Sequence, residues 1–292
     1  MRNSNAAKAT LSTKTFERLR ALVQKHAGID FPDEKKYLLE SRVKPRLMAQ
    51  EVPDFETYAD RLEQGDTREL ANLVNAVTIN ETAFFRHPSQ HEALEDTIFP
   101  ELVRLHQQGR SGPIRLWSAA CSAGDEAYSL AILIREALGP RHTNMEYEIV
   151  GTDIDTEVLE EARAGRYRKR AVRNVSQARL RKYFDRSGET FVVKPSIRDM
   201  VEFKPLNLTK AQDMRRMRNF DLIMCANVLI YFNDTSKKDV LRGLYRSLRP
   251  GGYLFVGGSE TLGELEVPLE PVRHEGALAY RRPTNGSVSS RA

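Results

Sequence analysis

A chain of 292 residues, 40% apolar and 29% charged, is long enough to bury one large core or two smaller ones, and its composition is that of an ordinary globular protein. No apolar run approaches membrane-spanning length, and the opening stretch MRNSNAAKATLSTKTFERL lacks the h-region of a signal peptide, so neither a spanning helix nor a secretory leader is expected. The net charge of +5 permits an acidic partner without demanding nucleic acid, and two cysteines, Cys121 and Cys225, give neither a disulfide framework nor metal-ligand spacing; the expectation is a reduced, cytoplasmic setting and no metal.

In chain order, residues 1–12 and 283–292 are expected to be disordered, and residues 13–78 read as helices only. TFERLRALVQKHAG places Phe16, Leu19, Leu22 and Val23 at helical spacing, with Gly28 as the stop. DEKKYLLESRVKPRLMAQ continues with Tyr37, Leu38, Val43 and Leu47, and Pro45 is expected to kink or divide it. DFETYADRLEQG is a short helix with Asp54 as N-cap and Gly65 beyond its end, and TRELANLVNAVT closes the set through Leu70, Leu73, Val74 and Val77.

After a connection at 79–88 the pattern changes to alternating helix and strand over 89–282. A helix near 89–107 ends at Gly109; IRLWSA, YEIVGTD, FDLIMCAN and YLFVGG are strands of continuous apolar character separated by helical stretches, and EGALAYRR suits an added edge strand. Apolar strands alternating with helices predict an α/β domain with a mostly parallel sheet covered on both faces. Residues 166–205 hold a basic stretch, then TFVVKP and DMVEF, read as a small inserted β subdomain.

The turn after IRLWSA is where an open α/β sheet binds its ligand. Its small residues, Ala119, Ala120, Ser122, Ala123 and Gly124, allow close approach to the backbone, but Asp125 and Glu126 occupy the first helical turn that a phosphate would otherwise use. Two acids there repel a pyrophosphate and attract an amino group; complementing the helix dipole would explain them equally well if they stood alone. They do not stand alone, because Asp153 ends the next strand, where a carboxylate accepts from both ribose hydroxyls. A ribose acceptor and an ammonium acceptor without a phosphate cradle match S-adenosyl-L-methionine (SAM) better than a nicotinamide dinucleotide.

Four separated motifs then carry a resemblance. NETAFFRHP (80–88), WSAACSAGDEAYSLA (117–131), GTDIDTEVLEEARAGRY (151–167) and FDLIMCANVLIYF (220–232) occur in the order found in the chemoreceptor glutamate methyltransferase family, CheR, which the chain resembles from about residue 13 to 282. Three positions depart from the usual pattern: Ala226 replaces Arg, Ala127 replaces Pro and Asp125 replaces Glu. The resemblance implies a SAM-methyltransferase (Rossmann-like) sheet, an all-helical N-terminal domain that recognises the substrate, and a linker contributing to the cofactor site. It implies that Asn80, Thr82 and Arg86 lie against the cofactor, that Glu126 binds its methionyl end and Asp153 its ribose, that Asn207 and Leu208 border the adenine, and that Asn227 and Val228 complete the pocket.

The implied reaction transfers the methyl group of SAM to the γ-carboxylate of receptor glutamates, leaving S-adenosyl-L-homocysteine, in the sensory adaptation of chemosensory signalling. A glutamate is ionised at neutral pH and needs no general base, so Arg86 and Tyr231 are expected to position groups, and His87, His91 and His274 to take no part. A basic patch of Lys35, Lys36, Arg42, Lys44 and Arg46 is expected to steer the acidic cytoplasmic helices of methyl-accepting receptors. The short turn DRSGETF in the insertion argues against a tether to a receptor's C-terminal pentapeptide, and a monomer without membrane insertion is expected. The run RYRKRAVRN through RLRKYF invites an RNA partner but lacks the interleaved aromatics that stack bases. A SAM enzyme acting on RNA or a small molecule, and a SAM-sensing scaffold suggested by Ala226, stay open as alternatives.

Overall fold

Ser12 accepts a hydrogen bond from the backbone N–H of Thr15 and starts the first helix, α1 (Thr13–Ala27), which Gly28 ends in the left-handed conformation, φ 74°. The computed structural model describes residues 9–139, 145–260, 262 and 267–284. Residues 9–12 therefore do not belong to a disordered leader: Leu11 is buried in the helical core, which fixes the segment. Residues 1–8 and 285–292 lie outside the described residues. The chain packs as two units, one running to Ile79 and taking in Tyr231–Ser236, the other running from Asn80 to Ile230 and resuming at Lys237.

In the helical unit, α2 (Lys36–Ala49) follows a 3-10 turn (Asp33–Lys35), and Asp54 and Asp66 cap α3 (Phe55–Glu63) and α4 (Thr67–Val77). Pro45 does not divide α2. Its missing N–H releases only the carbonyl of Ser41, and both residues are on the exposed side, where water can satisfy it. The buried face of α2 is Leu39, Val43 and Leu47; Tyr37, expected inside, is 72% exposed.

Arg46 is also misplaced by the sequence reading. Its guanidinium makes a two-pronged pair with Glu69, 2.9 Å from Nε to Oε1 and 2.6 Å to Oε2, and Tyr58 Oη and Asn72 Nδ2 donate to the same carboxylate. Glu69 is buried, so Arg46 neutralises an interior charge rather than facing a partner.

The α/β unit opens with α5 (Pro88–Ala93), a π turn (Leu94–Ile98) and α6 (Phe99–Gln107), in place of one regular helix. There follow β1 (Ile114–Ala119), α7 (Asp125–Leu138), β2 (Tyr147–Asp153) and α8 (Thr156–Ala164). After these come β3 (Arg166–Arg168), α9 (Gln177–Tyr183), β4 (Phe184–Ser187), β5 (Thr190–Val193), α10 (Pro195–Arg198) and β6 (Val201–Pro205). The unit ends with α11 (Ala211–Met214), β7 (Phe220–Cys225), α12 (Asp234–Ser247, whose first turn counts with the helical unit), β8 (Leu248–Val256), β9 (Glu270–His274) and β10 (Ala277–Arg281).

The main sheet has the order β6-β2-β1-β7-β8-β10-β9, with β10 antiparallel to both of its neighbours and the other pairs parallel. Two expectations change. EGALAYRR supplies β10, an inner strand, because β9 covers its outer side. DMVEF is not part of the insertion: β6 pairs in parallel with β2 from Ile149↔Val201 to Asp153↔Pro205, burying Phe203 in the main core. The insertion's own sheet is the three-stranded antiparallel β3-β5-β4.

Strand order reverses between β1, which leads outward to β2 and β6, and β7, which leads to β8. A crevice at the carboxyl ends of β1 and β7 is the consequence, and the predicted binding turn lies there.

Candidate cofactor site

The turn from β1 to α7 is built from left-handed residues: Ala120 at φ 61°, Ser122 at 50° and Gly124 at 88°. A Cβ on Gly124 would lie 2.9 Å from both Ala162 Cβ and Phe203 Cζ, so conformation and space both require glycine. Two backbone bonds fix the turn against β2. Cys121 N–H donates to the Thr152 carbonyl at 2.9 Å, and Ser122 N–H donates to Asp153 Oδ2 at 2.8 Å.

Asp153 also accepts from the N–H of Asp155 through Oδ1, at 3.0 Å. A carboxylate has about four acceptor positions, so the bonds from Ser122 and Asp155, with the Ile154 N–H also drawn to it, still leave capacity for a hydroxyl. Burial holds its carboxyl up, to about 6. The Asp153 carbonyl accepts from Leu206 N–H, which brings Asn207 and Leu208 to the tip of β2. Asn207 is buried, and its Oδ1 closes a local turn by accepting from Thr209 N–H and Oγ1.

Asp125 and Glu126 separate. Consecutive helical residues point about 100° apart, and the charges around them differ. Glu126 accepts from Ser118 Oγ at 2.7 Å and feels Arg86 and Glu260; Asp125 feels Arg173 and Glu161 and is almost fully buried. Burial raises both carboxyls to about 7. Only Glu126 shares surroundings with the other predicted site residues, so the paired-acid reading reduces to one acid facing the crevice.

The segment 80–88 reaches the same place. Asn80 Nδ2 donates to Asp155 Oδ2 at 2.8 Å, and the Asn80 carbonyl accepts from Ser122 Oγ at 3.2 Å. Thr82 is half-buried beside it. Phe84 anchors the segment in an aromatic cluster with Tyr128, Tyr167 and Phe184, and Phe85 N–H donates to Ser129 Oγ on α7. Arg86 donates to the carbonyl of Glu81 at 2.6 Å and is the cation that favours ionised Glu126.

On the other side of the crevice Asn227, with φ 62°, follows β7, and Val228 is half-buried next to it. The backbone here hangs on one residue the sequence reading missed. Glu260, buried beyond the end of β8, accepts from the N–H groups of Asn227 (2.9 Å) and Gly257 (2.7 Å) through Oε2 and from Ile230 (3.1 Å) through Oε1. His87, set aside from the sequence, lies 2.8 Å through Nε2 from Asn227 Oδ1 and so joins the 80–88 segment to the tip of β7. Neither has a sequence signature, since Glu260 reaches Ile230 and Asn227, 30 and 33 positions away, and His87 reaches Asn227, 140 away.

Arg86 and Tyr231 are not brought together within one unit. Tyr231 ends a 3-10 turn (Leu229–Tyr231), and its carbonyl accepts from Asp30 N–H inside the helical unit, whereas Arg86 belongs to the α/β unit.

The residues fit SAM by the chemistry of their acceptors. Half-buried Glu126 and buried Asp153 suit a cation and hydroxyls, and an acid sits in each of the first two positions of α7, where an anion would otherwise be held. Among the described residues no group of three side chains is placed to hold a metal ion.

Comparison with known proteins agrees over most of the chain. Residues 14–78 match the all-alpha domain of CheR methyltransferases, and residues 80–275 match the CheR methyltransferase SAM-binding domain. The chain is 33% identical over 279 residues to chemotaxis protein methyltransferase 2 of Vibrio cholerae, covering 95% of this chain and 96% of that one. It is 37% identical over 274 residues to chemotaxis protein methyltransferase 1 of Pseudomonas aeruginosa, covering 91% and 97%. It is also 37% identical over 261 residues to the chemotaxis protein methyltransferase of Escherichia coli, covering 88% and 87%. With both of its parts matched, and with a crevice whose acids suit a cationic cofactor, the chain belongs to the CheR family of SAM-dependent methyltransferases.

Proposed function

We propose that the protein methylates the γ-carboxylates of specific glutamates in the cytoplasmic helices of methyl-accepting chemotaxis receptors, giving glutamyl methyl esters and S-adenosyl-L-homocysteine. The observation that carries this reading is the composition of the crevice: two carboxylates, Glu126 at the start of α7 and Asp153 at the end of β2, suit a cation and a sugar. The receptor as substrate is supported by relatives that are named chemotaxis protein methyltransferases.

Bound SAM supplies a methyl group made electrophilic by its sulfonium. Everything else is positioning. Glu126 pairs with the ammonium, Asp153 takes the ribose hydroxyls, Asn80 and Thr82 line the approach from the 80–88 segment, and Asn207, Leu208, Asn227 and Val228 enclose the adenine and complete the pocket. Attack by a carboxylate on a sulfonium cancels charge, so water favours the separated reactants over the transition state. Holding both in line within a partly dry site accelerates the step, and orientation can contribute roughly 7–11 kcal/mol in the best intramolecular comparisons. Arg86 and Tyr231 are positioning residues here: a cation gripping the attacking oxygen would weaken it as a nucleophile, so Arg86 holds the second carboxylate oxygen or the cofactor. Lys35, Lys36, Arg42 and Lys44 steer the acidic receptor bundle, with Arg46 removed from that set by its bond to Glu69. The protein works in the cytoplasm as a monomer, without a pentapeptide tether; no helix among the described residues is long and apolar enough to cross a membrane.

The test is incubation with methyl-labelled SAM and purified cytoplasmic receptor fragments. Label enters the receptor and is released as methanol in alkali, because a glutamyl ester hydrolyses there. Alkali-stable label in RNA or a small molecule, with none in the receptor, contradicts the proposal.

A further inference from the structure

Positive charge is concentrated in one place. Residues 166–198, from β3 to α10, hold eleven lysines and arginines against two acids, a net charge of +9; the whole chain carries +5, so the remainder sums to −4. Self-repulsion on this scale destabilises a small subdomain, and the core makes little use of it. Arg166, Arg168, Lys169, Arg173, Arg181 and Arg186 are exposed, and none forms an ion pair with a described residue. In β3, Arg166 and Arg168 flank buried Tyr167, so both stand on the face of the small sheet opposite the core, level with Val192 and Thr190 of β5.

We propose that this inserted subdomain is a docking surface for anionic lipid headgroups. Three observations favour a lipid surface over other polyanions. Among the described residues the large hydrophobic side chains that are exposed, Tyr37, Met48, Ile79 and Ile230, all lie outside the insertion, so it offers no apolar anchor of the kind that dominates protein interfaces. Its aromatic rings are engaged inward: Tyr167 and Phe184 pack on Phe84, while Tyr183 and Phe191 lie under Lys182 and Arg186, which leaves no platform for unpaired bases. Its elements are short, seven residues for α9 and three or four for each strand, so none lies along a nucleic-acid groove. A dense array of cations without a recognition pocket suits the negative surface of a bilayer leaflet. The inference does not depend on the identity of the methyl acceptor.

Co-sedimentation of the full chain with vesicles tests it. The protein is expected to bind phosphatidylserine-containing vesicles at low salt, to ignore pure phosphatidylcholine vesicles, and to be released by high salt. The variant Arg166→Glu, Arg168→Glu, Lys169→Glu is expected to lose about a hundredfold in partition, about fivefold for each basic residue, with SAM binding unchanged. Lys35→Glu with Lys36→Glu, outside the insertion, is expected to leave partition unchanged. Absence of binding, equal binding to both vesicle types, or full partition by the triple variant overturns the proposal. So does tighter binding to duplex DNA or RNA than to vesicles at the same salt, which assigns the surface to nucleic acid instead.

Discussion

Replacing Glu126 with Gln weakens SAM binding by roughly a hundredfold, about 2.7 kcal/mol, within the range for removing one member of a desolvated charge pair. The side chain keeps its size and its bond partner Ser118, so the loss reports charge. The same residue sets a pH dependence. Burial holds its carboxyl at about 7, yet only the ionised form pairs with an ammonium. Below pH 7, binding must expel a proton, so the wild-type affinity falls as pH drops, approaching tenfold per unit, and Asp153 adds to the fall below about 6. The stability of the free protein runs the other way. A carboxyl whose folded pKa lies above its unfolded value holds its proton more tightly when folded, so its contribution grows as pH falls from 7 towards the ordinary carboxylate range and is lost as pH rises through 7. Calorimetry between pH 5.5 and 8, on the order of one Glu126 transition wide, gives a sloping affinity for wild type and a shallower one for the variant. Equal affinities, or a wild-type affinity flat across pH 7, remove Glu126 from the site.

Glu260→Ala lowers the stability of the α/β unit by about 3 kcal/mol and weakens SAM binding as well. Three backbone N–H groups from two strand ends lose a charged acceptor, each bond being worth about 1.5–3 kcal/mol, with water recovering part of the sum. Glu260→Gln falls between, because its amide has one accepting oxygen where both carboxylate oxygens are in use, and its NH2 must face an N–H. Urea unfolding shows the midpoint shift with an unchanged m value, and added S-adenosylhomocysteine stabilises the variant less than the wild type. An unaltered midpoint would mean that the tips of β7 and β8 hold without the clamp.

Which parts were readable from the sequence follows from the range over which each residue acts. β1, β2 and β7 announce themselves as continuous apolar runs, and Glu126, Asp153 and Asn227 are legible because each follows such a run by a few residues. β6 hides because an edge strand needs only Phe203 inside, and VEF beside an insertion looks like another hairpin. The inner place of β10 depends on β9, which precedes it in sequence but lies outside it in space. Arg46 reads as surface charge until Glu69, 23 residues later, is seen to fold against it. Glu260 and His87 act on backbone and amide groups of distant loops, and no local pattern marks an acceptor for N–H groups 30 and 33 residues upstream. Asp125 and Glu126 look equivalent on paper; the rotation between neighbouring helical positions sends only one towards the crevice.

The electrostatic character of that crevice is tested most directly by calorimetric titration of the wild-type protein with S-adenosylhomocysteine, alone and with NAD present in excess. One equivalent of S-adenosylhomocysteine is expected to bind, with an affinity that NAD leaves unchanged, because a pyrophosphate has no place beside Glu126. Saturable binding of NAD that competes with S-adenosylhomocysteine, or binding of NAD alone, contradicts the account.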